Sequence, residues 1–281
     1  MNEALKTNFH THTIFCDGKN TPEENVLSAI KKGMTRLGFS AHSLYPFSLE
    51  GNLNHTQHGA YSEEIRHLQK KYADKIQIFL GFEADFIPGF CSPRFENFAE
   101  FNPDFLIGSV HFIPTEKRPL AVDNKPAILA DGIRDVFDGD VQKAVGCYFS
   151  LQREMLLHGD FTILGHADLI RKFNGTLHLF DENDAWYKAE VEATAKAIAK
   201  AGVIAEINTG AISRGYMTSP YPSDYFLSRL FAYHVPIMIN SDAHNADALD
   251  CAFDLAAERA KKAGYKEVAL LAADGIQFSA L

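Results

Sequence analysis

Histidine and carboxylate side chains recur in short clusters at the ends of apolar runs: His10 and His12, Asp17, His42, Glu83, His111, His166, and Asp242 with His244. Imidazoles and carboxylates recurring in this order point to a multinuclear metal site. Residues i and i+2 of an extended strand project from one face, so His10 with His12, and Asp242 with His244, are each placed to reach a single ion. Imidazole with carboxylate suits zinc, iron or manganese, whereas a thiolate cluster would argue for structural zinc or an iron–sulfur centre. Neither CxxC nor HExxH spacing occurs. Glu83 sits in an apolar run over residues 78–86, where an unpaired carboxylate is costly to bury, so a cationic partner is demanded. A lone histidine late in a strand, such as His111 or His166, is more often an ordinary core or surface residue; the ordered set is what favours ligation.

The elements that must position these side chains are legible as apolar, β-branched runs alternating with longer amphipathic stretches, the pattern of repeated βα units around a mostly parallel sheet. Strands are predicted over residues 8–13, 37–42, 76–86, 105–113, 162–168, 203–208 and 236–242. In a parallel barrel the loops leaving the strand C-termini build the site. His10, His12, His42, Glu83, His111, His166 and Asp242 all fall late in their predicted strands. Thr21 reads as the N-cap of a helix with Pro22 in its first turn, and helices are predicted over residues 183–200 and 246–263. Residues 45–60 and 114–139 read as loops on the site face. His67, His158, His178 and His234 read as solvated or helix-surface residues, as do His55 and His58, which alone of these are placed to contact substrate.

A chain of 281 residues without a linker-like stretch is expected to form one domain over residues 1–281. No basic segment followed by an apolar core opens the chain, and no run of about 18 apolar residues occurs, so a cytoplasmic protein that makes no membrane contact is expected. The four scattered cysteines read as free thiols. Of these, Cys16 alone lies near the proposed site, as a small buried residue. A net charge of −9 with no Lys/Arg-rich run excludes a broad surface for long nucleic acids. An anionic substrate then needs a local positive charge, which bound metals supply.

The succession HTHTIFCDG, FSAHS, GFEADF, IGSVHF, LGHADLIRKF, EINTGAISRG and NSDAH resembles the polymerase-and-histidinol-phosphatase (PHP) family of metallophosphoesterases across nearly the whole chain. Within the family it looks most like the stand-alone histidinol-phosphate phosphatases. The resemblance implies an α/β fold, a distorted (β/α)7 barrel with its metal site at the C-terminal ends of the strands, and three divalent ions, zinc, iron or manganese. One ion would be held by His10, His12, Glu83 and Asp242. Glu83 would also reach a second, bound by His111 and His166, and a third would use Asp17, His42 and His244. Some relatives carry histidine at the position of Asp17, a change that shifts ligand hardness. Glu83, Asp242 and His244 are read as catalytic, and His42, Arg171 and Arg214 as substrate-binding. Asp168 either orients a ligand or caps the following turn.

The reaction implied is hydrolysis of a small phosphate monoester, L-histidinol phosphate in histidine biosynthesis, by direct attack of a metal-bridging hydroxide. Three divalent ions give about +6 against about −4 from three carboxylates and a hydroxide, which leaves a remainder suited to a phosphate dianion. The competing readings are a phosphodiesterase or exonuclease on small nucleotides and a metal-dependent amidohydrolase.

Overall fold

The side-chain parity of one strand organises the interior. In the strand Gln77–Asp85, Ile78, Leu80, Phe82 and Ala84 join the main apolar core beneath the surrounding helices. Phe79, Gly81, Glu83 and Asp85 take the other face, as the period of two requires. Phe79 belongs to a separate apolar cluster with Phe9, Phe105, Ile107, Ile163, Ile204 and Met238. Interior-facing positions thus form an apolar floor that gives way to polar residues towards the strand ends.

In the computed structural model, which describes residues 3–43, 55–116 and 119–281, this strand is the third of seven. The others are Thr7–Asn8, Arg36–His42, Phe105–Ser109, Ile163–Leu164, Ile204–Asn208 and Ile237–Asn240, each parallel to the next in chain order. The sheet curls until its ends meet. Thr11 bridges Ala243 in parallel, with the His12 N–H donating to the Ala243 carbonyl (2.8 Å) and the Ala243 N–H to that of His10 (3.0 Å). Side-chain amides complete the seam: Asn240 Oδ1 accepts from the Phe9 N–H at 2.8 Å, and Asn8 Oδ1 from the Ser241 N–H at 3.0 Å. The expected distorted seven-stranded α/β barrel is present, nearly closed. Its other end is covered by the hairpin Glu267–Ala272 with Gly275–Ala280, which adds Ala269 and Leu271 to the interior cluster.

Several predicted boundaries shift. The first, fourth, fifth and seventh strands are shorter than their apolar runs, so His10, His12, His111, His166 and Asp242 lie just beyond strand ends, while His42 and Glu83 remain inside theirs. Asp242 adopts φ +49°, so it and His244 are not an extended i, i+2 pair. A turn rather than strand parity brings them together. Thr21 caps the helix Pro22–Lys31 with a complete capping box through Glu24. The predicted helix over 183–200 is Ala185–Ala201. The one over 246–263 breaks into a short turn, Ala246–Ala248, and the helix Phe253–Ala263, because Asn245 caps the first piece and Ala252 takes a left-handed φ of +56°.

The segment 114–139 is not a loop, since Leu120–Ala121 pairs with Phe112–Ile113 and Pro126–Val136 is helical around buried Leu129 and Ile133. Of the segment 45–60, residues 45–54 lie outside the described residues, and the helix His55–Lys71 takes the rest. His58 is buried against Phe82, Phe98 and Phe101. This contradicts its assignment as a solvated or substrate-facing residue, because the helix turns that position into the core. His67, His158, His178 and His234 are exposed as expected.

Gly81 faces the barrel floor, where an added Cβ would lie 2.5 Å from the buried Phe105 ring, itself packed edge-on against Phe9. Gly81→Ala is therefore expected to lower stability by about 1–3 kcal/mol through overpacking. A urea unfolding curve checks this, and an unchanged midpoint would contradict the packing described.

Candidate metal centre

Register places the site's central carboxylate. His42 and Glu83 are aligned partners in the second and third strands, and imidazoles from three other segments arrive at the same level. Glu83 Oε2 lies 3.0 Å from His42 Nδ1, 3.3 Å from His10 Nε2 and 3.6 Å from His12 Nε2. Its Oε1 lies 2.9 Å from His166 Nε2 and 3.5 Å from His111 Nε2, and accepts a hydrogen bond from Ser109 Oγ at 2.7 Å. Each oxygen of this 1 % exposed carboxylate thus faces its own set of rings.

Asp242 completes the inner group, with Oδ1 3.3 Å from His12 Nε2 and 3.7 Å from His10 Nε2. Its left-handed backbone is a sparsely populated conformation that Asp tolerates better than most residues. At the rim, Asp17 Oδ2 lies 3.1 Å from His244 Nε2 and 3.7 Å from His42 Nε2, and Asp17 Oδ1 lies 3.6 Å from His12 Nδ1. All nine predicted ligand positions are therefore brought together. Their donor atoms fall into overlapping groups: His12, Asp17, His42 and His244; His10, His12 and Glu83; His10, His166 and Asp242; His42, Glu83 and His111.

The donor set fits divalent cations. Nε2 of His10 and of His12 are buried with no hydrogen bond, as is Nδ1 of His42. Polar atoms left so in an interior carry a full desolvation cost unless something bonds them. Two carboxylates make the ring tautomers suitable. Glu206 Oε1 lies 2.7 Å from His10 Nδ1, and Asp85 Oδ2 lies 2.9 Å from His111 Nδ1. A carboxylate only accepts, so those nitrogens carry a proton and Nε2 is the ring atom that a cation would take, displacing any proton there.

Charge competition inside the cluster is severe. Burial pushes the Glu83 carboxyl up, yet the fields of His10, His42 and His111 overcome it and hold the group well below its ordinary range. Asp242 behaves likewise, with burial opposed by Arg214 and His10. Burial, with His244 and His42 nearby, drives His12 down to about 3, a neutral ring fit for ligation. Burial would lower His111 too, but Asp85 and Glu83 raise it to about 9.

Arg214 lies against this cluster. Its Nη2 donates to Asp242 Oδ2 at 2.9 Å and its Nη1 to the Asp242 carbonyl at 3.1 Å, with His244 Nδ1 2.8 Å from Nη1. Arg171 is set back: its polar partners among the described residues are Glu182, Asp168, Ser219 and the Pro220 carbonyl. Asp168 accepts from the Ser223 N–H at 2.7 Å, a structural role rather than the orientation of a ligand, and burial raises it to about 6. Cys16 Sγ lies 3.4 Å from His12 Nδ1, and the four cysteines are free thiols.

The model of the PHP domain matches residues 8–210. The chain belongs to the PHP domain family. Its curated relatives include a Deinococcus radiodurans protein named "Probable histidinol-phosphatase", 27% identical over 92% of this chain and 94% of that one. A Bacillus subtilis histidinol-phosphatase is 25% identical, covering 90% of this chain and 99% of its own length. Among solved structures, histidinol phosphate phosphatase from Lactococcus lactis, complexed with zinc, L-histidinol and phosphate, superposes with a TM-score of 0.71 at 21% identity, over 97% of this chain and 99% of that one. The PHP fold is common to both. No helix among the described residues is long and apolar enough to cross a membrane.

Sequence reasoning missed Asp85 and Glu206. Asp85 lies two residues past Glu83 on the same face, so parity alone could have found it. Glu206 is the only charged residue of the buried strand Ile204–Asn208, and the cost that singles out Glu83 applies to it equally. Besides His10, it accepts from the His166 N–H (3.0 Å), Asn208 Nδ2 (2.8 Å) and Asn240 Nδ2 (3.0 Å). Glu206→Gln removes the charged acceptor that orients His10, and zinc affinity measured by chelator competition is expected to fall about 10–100-fold. Unchanged affinity would deny Glu206 that role.

Proposed function

We propose that this PHP-family metal-dependent hydrolase cleaves phosphate monoesters, and that its substrate is L-histidinol phosphate. The observation that carries the reading is the convergence of His10, His12, His42, His111 and His166 on the two oxygens of Glu83, with Arg214 at the rim. Arrangement and alcohol are separate matters: the alcohol is supported by relatives named histidinol-phosphatase that match over about nine-tenths of the chain, and by the L-histidinol and phosphate held in the Lactococcus lactis protein.

His10, His12, Glu83 and Asp242 would hold one ion, with Glu83 Oε1, His111 and His166 holding a second and Asp17, His42 and His244 a third. Such ions, when bound, lower the pKa of water and neutralise charge on phosphoryl oxygens. The chain's own residues do the rest. Glu206 and Asp85 fix the His10 and His111 rings so that neither reorients during turnover. Arg214 supplies fixed positive charge beside Asp242 and His244, where a phosphate would gain charge-assisted hydrogen bonds. In this reading His42 and Arg171 bind the substrate more peripherally, Arg171 from its place beside Glu182. Water gives up a proton and attacks phosphorus directly, with no covalent phosphoenzyme, as the P–O bond to the alcohol breaks and the alcohol oxygen takes up a proton. The net charge of −9 repels long polyanions and leaves a small ester as the better substrate.

The test is kcat/KM for L-histidinol phosphate beside an aryl phosphate, an aryl phosphodiester and an N-acyl amide, with protein loaded separately with zinc, iron and manganese. Strong preference for histidinol phosphate is expected; preference for the diester or the amide would overturn the reading. Glu83→Ala should lose bound metal as well as activity, with kcat/KM down at least about 10³-fold. Full metal content in a folded Glu83→Ala protein, read by elemental analysis, would refute the bridging role.

A further inference from the structure

Beyond His111 the chain leaves the site, folds into the ladder of Phe112–Ile113 with Leu120–Ala121, and returns. The Val122 N–H donates to the His111 carbonyl at 3.0 Å, so Asp123 leaves the ladder at the level of a candidate ligand. The neighbouring loop locks it there. Lys172, six residues past His166, donates from Nζ to the Asp123 carbonyl (2.7 Å) and to Oδ2 (3.2 Å). Lys172 is itself held, 7% exposed at the side chain, with Nζ 5.4 Å from the Phe173 ring centre and 4.9 Å from that of Tyr216. Asp123 Oδ1 has no protein partner among the described residues, and its side chain is 27% exposed.

Burial pushes the Asp123 carboxyl up, but the fields of Lys172, His111 and His166 hold it below its ordinary range. Paired with Lys172 it is an anion, and its charge also acts on Arg214. A carboxylate in this position opposes the attraction of a bare phosphate dianion. It favours only an ester that carries positive charge away from its phosphate, so its effect is one of discrimination between substrates. Tyr216, 46% exposed, packs its ring against the Lys172 ammonium and so helps to hold the brace.

We propose that Asp123, braced by Lys172, is a specificity residue that binds an ammonium or imidazolium group on the alcohol half of the phosphate ester. This rests on the monoester reading given above and orients the ester with its alcohol towards the loops after the fourth and fifth strands. A cationic group on the substrate forms a charge-assisted hydrogen bond to Oδ1, while Oδ2 stays with Lys172.

The measurement is the ratio of kcat/KM for L-histidinol phosphate to that for p-nitrophenyl phosphate, on metal-loaded full-length protein and on Asp123→Asn. The ratio is expected to fall at least about tenfold in the variant, the scale of one hydrogen bond to a charged group. Parallel losses on both esters, or no change, would overturn the proposal. Should Asp123→Asn not fold, Lys172→Met removes the brace while keeping the carboxylate, and the same ratio is expected to fall; an unchanged ratio again overturns it. On the unaltered protein, N-acetylated histidinol phosphate should be a poorer substrate than the parent ester. Wild-type protein that hydrolyses aryl phosphate without favouring the cationic ester would remove both the histidinol assignment and this inference. A wild-type preference that survives Asp123→Asn would remove this inference alone.

Discussion

Five imidazoles face one buried carboxylate, and the barrel's upper half is arranged around that fact. Glu83 has His42 aligned with it across the sheet, His10 and His12 arriving along the closing seam, and His111 and His166 from the loops after the next two strands. Protein groups alone satisfy this cluster poorly, because Nε2 of His10 and of His12 face carboxylate oxygens without making good hydrogen bonds. Cations between them would turn the conflict into bonding. The apolar floor of Phe9, Phe79 and Phe105 keeps the cluster at the strand ends.

The surrounding charges divide the work by position. Glu206 and Asp85 set ring tautomers from behind. Glu206 also receives the His166 N–H and the Asn240 amide, so one carboxylate ties the fifth, sixth and seventh strands to the first. Arg214 grips Asp242 from the outside and leaves the opposite oxygen turned towards His12. Such supports cost side-chain freedom once, on folding, and so leave little reorganisation for the reaction itself.

Much of this is legible in the sequence. A carboxylate inside an apolar run announced Glu83, and the recurrence of histidine late in most of the apolar runs announced the ring around it. What the pattern did not carry was anything decided by tertiary context. Asp242 and His244 were read as strand neighbours, yet a left-handed turn at Asp242 brings them together. The barrel closes through the amides of Asn8 and Asn240, which no periodicity marks. Polar residues between 114 and 139 suggested a loop, but spaced apolar positions around Leu129 and Ile133 were enough for a helix. His58 fell inside a supposed loop and proved to be core, because only the helix shows which way that position faces. Glu206 was overlooked for want of a histidine beside it in sequence, its partner His10 lying 196 residues away.

The central claim is that cations occupy the space between Glu83, Asp242 and the histidines. Anomalous X-ray diffraction from crystals of the protein grown with zinc, recorded on both sides of the zinc absorption edge, tests it most directly. The account predicts strong peaks within bonding distance of Nε2 of His10 and His12, with Glu83 reaching two separate ions, one through each oxygen. Ordered water alone at those positions, with Nε2 of both histidines left unligated in zinc-soaked crystals, would contradict it.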